Sequence, residues 1–269
     1  MLKKVLYMFL FVAIQVLLNS CFQEVIDIDL PDSGSQFVIE AVLTDQPEFQ
    51  YVKVSMPGDY YTQGKAKPVS GAIVIIRSEA NGDILYEEVE PGLYRTGNFK
   101  GEPGITYYLN VNVDGKVFTA SSKMPEPVEM DSIVLKRSSG FNSYFYKLHC
   151  YFTDKKDEEN YLWFKYYQND EPASNTAYLY NDKNSDGQKV EYDDFNGLYL
   201  RQQDRLRLEV IALDRNAYNY IYSLFGYQSD IDVDLPELFP SNSYNPNTNI
   251  SNEGLGYFSA CAVKKYIVK

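Results

Sequence analysis

Hydrophobic and polar residues alternate along much of this chain, which is the pattern of β-strands that bury one face. Clear examples are residues 51–55, 106–113, 144–153 and 205–213. Turn residues separate these segments, and Asp114-Gly115 is a pair typical of two-residue hairpins. We therefore expect an all-β protein built from many short strands.

Two prolines divide the strand pattern into two parts. Pro125 and Pro127 cannot donate hydrogen bonds to a sheet, so a boundary is expected there. Before it, the spacing of strands and turns over residues 36–127 predicts a β-sandwich. After it, residues 128–269 predict a second β-rich, sandwich-like domain with longer strands.

One helix is expected within the second domain, over residues 215–225. Asp214 is a suitable N-cap and Gly226 a suitable stop. Between them, five apolar residues recur at helical spacing: Ala217, Tyr218, Ile221, Tyr222 and Phe225. Residues 227–256 then form a long polar loop, a length typical of functional or disordered segments. A final strand is predicted over residues 257–268.

The N-terminus has the zones of an export signal. Lys3 and Lys4 precede an apolar stretch that is too short to span a bilayer comfortably. It ends in Leu18-Asn19-Ser20-Cys21, a lipobox, so residues 1–20 are predicted to be a signal peptide and Cys21 the lipid-attachment site. The alternative is an ordinary secretory signal with a chance cysteine. Residues 21–35 form an acidic tether.

Charge limits the partners of the protein. The formal net charge is −12, and removal of Lys3 and Lys4 with the signal would make the chain more acidic. Nucleic acid is therefore not an expected partner, because its binding depends on neutralising phosphates with cations. An anionic membrane surface would also repel the protein, so the lipid must provide the membrane tether.

Tyrosine is unusually frequent, with 25 residues against one tryptophan. Packing within the sandwich is the favoured explanation, and stacking on sugar rings is the alternative. Two loops are suited to contact a partner: residues 58–68, with Tyr60 and Tyr61, and the long loop, with Tyr244.

Catalytic chemistry has little support in the sequence, and we do not expect an enzyme. The only histidine, His149, is followed by Cys150, but neighbouring residues of a strand point to opposite faces. Cys150 is expected in the core and His149 at the surface or between sheets. A disulfide between Cys150 and Cys261 requires their strands to be neighbours, and two buried thiols are the favoured alternative.

Calcium is the one cofactor that a motif suggests. Asp182, Asn184 and Asp186 precede Gly187 with the spacing of a calcium loop, and Asp193 follows. In this sequence Asp193 stands where such loops carry a bidentate glutamate, and no flanking helix pair is predicted. A simple turn that needs no metal is the alternative.

The order of several short motifs resembles an uncharacterised family of Bacteroidota outer-membrane lipoproteins. The motifs that carry this resemblance are Val69-x-Gly71-Ala72-x-Val74, Pro91-Gly92-x-Tyr94-x-Thr96, Phe99-x-Gly101-x-Pro103-Gly104, Leu213-Asp214-x-x-Ala217-Tyr218, Asn249-Ile250 and Gly256-Tyr257-Phe258-x-Ala260. The N-terminal part, residues 36–127, is also similar to transthyretin-like or carboxypeptidase-regulatory sandwiches.

The resemblance implies a function as well as a location. Such lipoproteins are commonly encoded beside TonB-dependent outer-membrane receptors. We therefore expect an outer-membrane lipoprotein, displayed on the cell surface or on the periplasmic face, that assists such a receptor in nutrient uptake by capturing its ligand or holding the receptor. The alternative is a surface lipoprotein that binds a glycan or a peptide on its own. The family has no agreed catalytic residues to transfer.

Overall fold

The computed structural model describes residues 36–58, 66–139, 144–173, 176–193, 195, 200, 204–225 and 246–268, with only the backbone of residues 138, 139, 144 and 145. Among these residues the chain forms sixteen strands and one helix. The first eight strands are β1 (Val38–Thr44), β2 (Glu48–Met56), β3 (Lys67–Pro68), β4 (Ile73–Ser78), β5 (Gly82–Glu90), β6 (Leu93–Phe99), β7 (Thr106–Val113) and β8 (Lys116–Lys123).

The second half of the chain contains longer strands and the helix. Its elements are β9 (Ser132–Ser139), β10 (Tyr144–Thr153), β11 (Tyr161–Gln168), β12 (Glu171–Pro172), β13 (Tyr178–Asn181), β14 (Lys189–Tyr192), β15 (Leu206–Leu213), α1 (Arg215–Phe225) and β16 (Leu255–Ile267). The helix begins and ends at the predicted residues. The all-β class with one short helix is confirmed.

The strands form one large sheet and one small sheet. The large sheet has the order β12-β11-β15-β16-β1-β2-β6-β5-β4-β7-β8, with β13 beside β11 and β3 beside β2. The small sheet has the order β14-β10-β9. In the hairpin of β7 and β8, Asp114 and Gly115 both have positive φ, as a two-residue turn of type I′ requires.

The last strand joins the two halves of the large sheet. β16 pairs in parallel with β1, where Val38 lies opposite Leu255, and antiparallel with β15. All other pairings among the described strands are antiparallel. The predicted division of the domains at residues 127/128 stays a prediction, but hydrogen bonding in the sheet continues from one part to the other through β16.

Both faces of β15 and of residues 256–263 in β16 are covered, and this explains their long apolar runs. On one face, Leu208, Val210 and Phe258 belong to the main core, which extends over both sheets. On the other face, a smaller cluster lies under α1 and includes Ala217 and Tyr218 of the helix. Leu206–Leu213 is therefore buried almost throughout, although alternation had suggested a strand with one exposed face.

Aromatic rings join the small sheet to β11 and β13. Phe164 stacks on Tyr192 with ring centroids 4.5 Å apart, and Phe152 meets Tyr180 edge-on at 5.1 Å. In the N-terminal half, Tyr94 is fully buried as well. These tyrosines pack the core, as the favoured explanation of the composition predicts.

Candidate functional site

A groove lies on the α1 face of the large sheet. It encloses about 370 Å³ and crosses β11, β15, β16 and β1, four strands that are neighbours in the sheet. Its apolar part is formed by Trp163, Ile211, Leu213 and Ile221 of α1. We call this surface the α1 groove. Mostly apolar clefts with a few placed polar groups are typical of binding sites.

The other end of the α1 groove is charged. Lys165, Glu209 and Lys265 lie directly opposite one another on three neighbouring strands. The Lys165 ammonium lies 3.6 Å from the centre of the Trp163 ring, a cation–π contact. Burial lowers the pKa of Lys165, and the nearby Glu209 carboxylate opposes this effect. The groove therefore joins an aromatic, apolar end to a partly buried cation.

Trp163 provides a donor with no acceptor within the described protein. Its indole Nε1 is buried and makes no hydrogen bond. Most buried polar groups are hydrogen-bonded, so an unpaired donor in the lining of a groove is informative.

A second cluster of polar side chains surrounds His149 on the outer face of the small sheet. His149 is 6 % exposed, and its Nδ1 lies 2.8 Å from Glu191 Oε1 and 3.7 Å from Asp193 Oδ2. Tyr151 and Lys136 donate hydrogen bonds of 2.7 Å and 3.0 Å to the same carboxylate oxygen. His149 is thus buried, and Cys150 faces the main core on the opposite side of β10.

The electrostatics of this cluster are those of an ion-pair network. Hydrogen bonds from Tyr151, Lys136 and His149 lower the pKa of Glu191 to about 2. The three acid and histidine side chains are close enough to share a metal ion. However, the Lys136 ammonium already donates to the carboxylate oxygen nearest to His149 and balances the charge of Glu191. Cys150 is not part of this cluster, so no thiol–imidazole pair forms.

The predicted calcium loop forms a tight turn that is attached to the end of β10. Ser185 and Gln188 close the turn by donating their N–H groups to the carbonyls of Asp182 and Ser185, at 2.8 Å and 2.9 Å. Asp182 is buried, whereas Asn184 and Asp186 are exposed. Gly187 has φ +68°, so the position favours glycine.

The structure does not bring all four predicted ligands together. Asp193 lies beside His149, because Cys150 pairs with Tyr192 in the register of β10 and β14. The turn lies at the other end of these strands, where Thr153 pairs with Lys189. At about 3.3 Å per residue, the intervening strand separates Asp193 from the turn by more than 10 Å. A carboxylate that the sequence had not suggested, Asp154, lies at the turn instead.

Both cysteines of the described region are free and buried. Cys150 lies in the main core, and Cys261 lies in the cluster under α1. Burial raises the pKa of each thiol to about 12. They belong to different clusters, which agrees with the favoured prediction of two buried thiols.

Several predicted residues lie outside the described part of the chain. These are the lipid-attachment residue and the three loop tyrosines, namely Cys21, Tyr60, Tyr61 and Tyr244. The end of the predicted long loop is described: Asn249 bonds the backbone of Phe258 at 2.8 Å and 3.0 Å, and Ser251 bonds Thr119 of β8. This end is therefore fastened between β16 and β8.

Sequence analysis missed the α1 groove and Asp154. Trp163 and Lys165 are two residues apart on an alternating strand, which indicates that they share a face. Nothing in the sequence places that face beside β15 and β16. Asp154 directly follows β10, and only the pairing of β10 with β14 brings it to the turn.

Comparison with known proteins identifies a family but no activity. In the described part of the chain, no helix has the length and hydrophobicity needed to cross a membrane. A search of curated proteins found no match. Residues 23–267, nearly the whole chain, match the family described as a domain of unknown function, DUF4249. The chain therefore belongs to the DUF4249 family.

Proposed function

We propose that this protein is a lipid-anchored accessory of a TonB-dependent outer-membrane receptor, and that the α1 groove is a contact surface for that receptor complex. The single observation that carries the binding role is the α1 groove, with its buried unpaired Trp163 donor beside the Lys165 ammonium. Binding in the groove would cover its apolar surface beside the Lys165 ammonium.

The lipid anchor predicted at Cys21 supports a membrane location for this role. The matched family region begins at residue 23, two residues after the predicted lipid-attachment residue Cys21. The whole matched region would then be held at one membrane. Confinement of two proteins to one membrane raises their effective concentration, so a modest affinity for the receptor suffices. The partner itself is taken from the resemblance to lipoproteins encoded beside such receptors.

A cross-linking pull-down from outer membranes tests the proposal. The wild-type protein, extracted in mild detergent, should co-purify with a large β-barrel receptor identified by mass spectrometry. The Cys21→Ala variant should not incorporate labelled palmitate. Its pull-down should contain much less receptor than that of the wild type. Recovery of the lipoprotein alone from membranes that contain the receptor would contradict the proposal.

A matched pair of substitutions tests the groove. Val42 in β1 lines the groove and is 51 % exposed, whereas Ile73 in β4 is 57 % exposed and is not among the groove residues. Val42→Glu should reduce receptor recovery by at least about tenfold, because a carboxylate would be buried on binding. Ile73→Glu should leave it unchanged. Equal recovery with both variants would exclude the groove as the contact surface.

The lining of the groove also favours the second candidate, a module that binds a glycan or peptide without a receptor. An aromatic ring and a lysine can stack on a sugar or hold a peptide carboxylate. In that case the pull-down recovers no receptor, while an oligosaccharide or peptide array gives binding that Val42→Glu abolishes. The contact residues Tyr60, Tyr61 and Tyr244 remain predictions, and their alanine variants can be tested in the same pull-down.

A further inference from the structure

A polar groove lies on the outer face of β4, β7 and β8, in the N-terminal half of the large sheet. It encloses about 640 Å³. Six of its side chains lie in two rows across these neighbouring strands, with Arg77, Tyr108 and Ser121 in one row and Ile75, Asn110 and Thr119 in the other. We call this surface the β7 groove. It shares no residue with the α1 groove.

The segment that precedes β16 forms one wall of the β7 groove. Ser251 donates its N–H to the carbonyl of Thr119 at 2.8 Å, and its hydroxyl accepts the N–H of Thr119 at 2.7 Å. Asn249 donates to the carbonyl of Ser121 at 3.3 Å. The edge of β8 therefore offers no open backbone to an incoming peptide strand over residues 119–121. A ligand of this groove has to lie on the side chains of the face.

Core packing does not account for Tyr108, which lies at the centre of the β7 groove. Its side chain is 50 % exposed, and among the described residues its hydroxyl makes no hydrogen bond and its ring contacts no other ring. By contrast, Tyr94 and Tyr107 are buried, and their hydroxyls bond the backbone of Val69 and of Glu102. The alternative explanation of the tyrosine content, stacking on a sugar ring, therefore applies to Tyr108.

The polar groups beside this ring are uncharged or neutralised. Asn110 follows two residues later on the same face, and its exposed amide makes no hydrogen bond with a described residue. An amide offers both donors and an acceptor, and Thr119 adds a hydroxyl. Arg77 is held by Asp83 in a bidentate ion pair, which balances its charge. The groove thus offers hydrogen bonds in both directions without a net charge in its lining.

We propose that the β7 groove binds a neutral oligosaccharide, with a sugar ring stacked on Tyr108 and its hydroxyls bonded to Asn110. A sugar ring has an apolar C–H face that packs on an aromatic ring, and hydroxyls that both donate and accept. Three strands about 4.8 Å apart span about 10 Å, which accommodates one or two sugar rings. An anionic saccharide is disfavoured, because the protein carries a net charge of −12 and Arg77 is already paired.

Calorimetric titration of the full-length protein tests this site without a receptor. The protein is kept in a detergent that has no sugar head group. Short neutral oligosaccharides of glucose, mannose, xylose and galactose are the probes, and oligogalacturonate is the anionic comparison. At least one neutral probe should bind at millimolar concentration or below. Oligogalacturonate should bind at least about tenfold more weakly, because the acidic protein repels it.

Substitutions in the groove identify the contacts. Tyr108→Ala should weaken binding of the neutral probe by at least about tenfold, because the stacking surface is lost. Tyr108→Phe keeps the ring and should lose less. Asn110→Ala should weaken binding by at least about threefold. Tyr51→Ala is the matched control, since Tyr51 is 44 % exposed in β2 and lies outside the β7 groove, and it should leave binding unchanged.

Four results would overturn the proposal. They are the absence of binding by every neutral probe at millimolar concentration, tighter binding of oligogalacturonate than of every neutral probe, equal loss of binding in Tyr51→Ala and Tyr108→Ala, and binding that Val42→Glu abolishes while Tyr108→Ala leaves it intact. The last result would assign the saccharide to the α1 groove. Receptor recovery tests the proposed function separately, and Tyr108→Ala should leave that recovery unchanged.

Discussion

At the scale of single residues, Gly256 is a position where the fold tolerates no side chain. It has φ +89°, and a Cβ atom there would lie 2.2 Å from the carbonyl oxygen of Ile39 on the parallel neighbour β1. We predict that Gly256→Ala lowers the free energy of unfolding by at least about 2 kcal/mol, from backbone strain and this contact together. Urea denaturation followed by circular dichroism measures the loss.

Gly82 provides the control for this prediction. Its φ is also positive, at +68°, but a Cβ atom there would meet nothing within 4 Å. Gly82→Ala should therefore cost only the strain of the left-handed conformation, about 1 kcal/mol. If both variants lose the same free energy of unfolding, the contact of a side chain at Gly256 with β1 adds nothing to the backbone strain, and the prediction is wrong.

At the scale of elements, Asp214 connects α1 to two strands of the sheet. Its Oδ1 accepts a hydrogen bond of 2.7 Å from the N–H of Ala217, the N-cap interaction predicted from the sequence. Its Oδ2 accepts a hydrogen bond from Ser122 of β8, whose hydroxyl in turn accepts the N–H of Ala260 in β16 at 2.9 Å. The cap is therefore also a tertiary contact.

Asp214→Ala should lower the stability of the fold by more than the loss of an exposed helix N-cap does. We expect a loss of about 2 kcal/mol in the free energy of unfolding, because Ser122 loses its acceptor and the helix loses its cap. Asp214→Asn keeps an acceptor for Ala217 and should lose less than about 1 kcal/mol. Denaturant titration of both variants checks this, and an equal loss would mean that the charge matters more than the cap.

At the scale of the whole molecule, β16 determines whether the N-terminal part is stable on its own. Without β16, one edge of β1 would be exposed over Val38–Thr44, and the main core would lose Phe258 and Ala260. We predict that a chain of residues 22–127 does not fold stably, because an open edge and an incomplete core favour aggregation. Circular dichroism melting and size-exclusion chromatography provide the measurement.

The matched control is a chain of residues 22–269, which contains β16 and should melt cooperatively as a monomer. A cooperative transition of residues 22–127 at a similar temperature would instead support an independent N-terminal sandwich. That outcome would favour the division at residues 127/128 as a true domain boundary.

The sequence alone determined the features that depend on neighbouring residues. Alternation with a period of two predicted strands, Asp114-Gly115 predicted its hairpin, and Asp214 with the helical spacing after it predicted α1. Each of these signals lies within a few residues of the chain, where backbone geometry and side-chain spacing are directly coupled. The lipobox predicted at Cys21 is a signal of the same local kind, and it stays a prediction because Cys21 lies outside the described residues.

Only the tertiary structure decided which strands are neighbours. A period of two indicates which residues share a face but does not indicate the partner of that face, so the parallel pairing of β16 with β1 had no local signal. The α1 groove depends on this pairing, because its walls come from strands far apart in sequence. The same reason explains why Asp154, and not Asp193, lies at the turn: the register of β10 and β14 places it there.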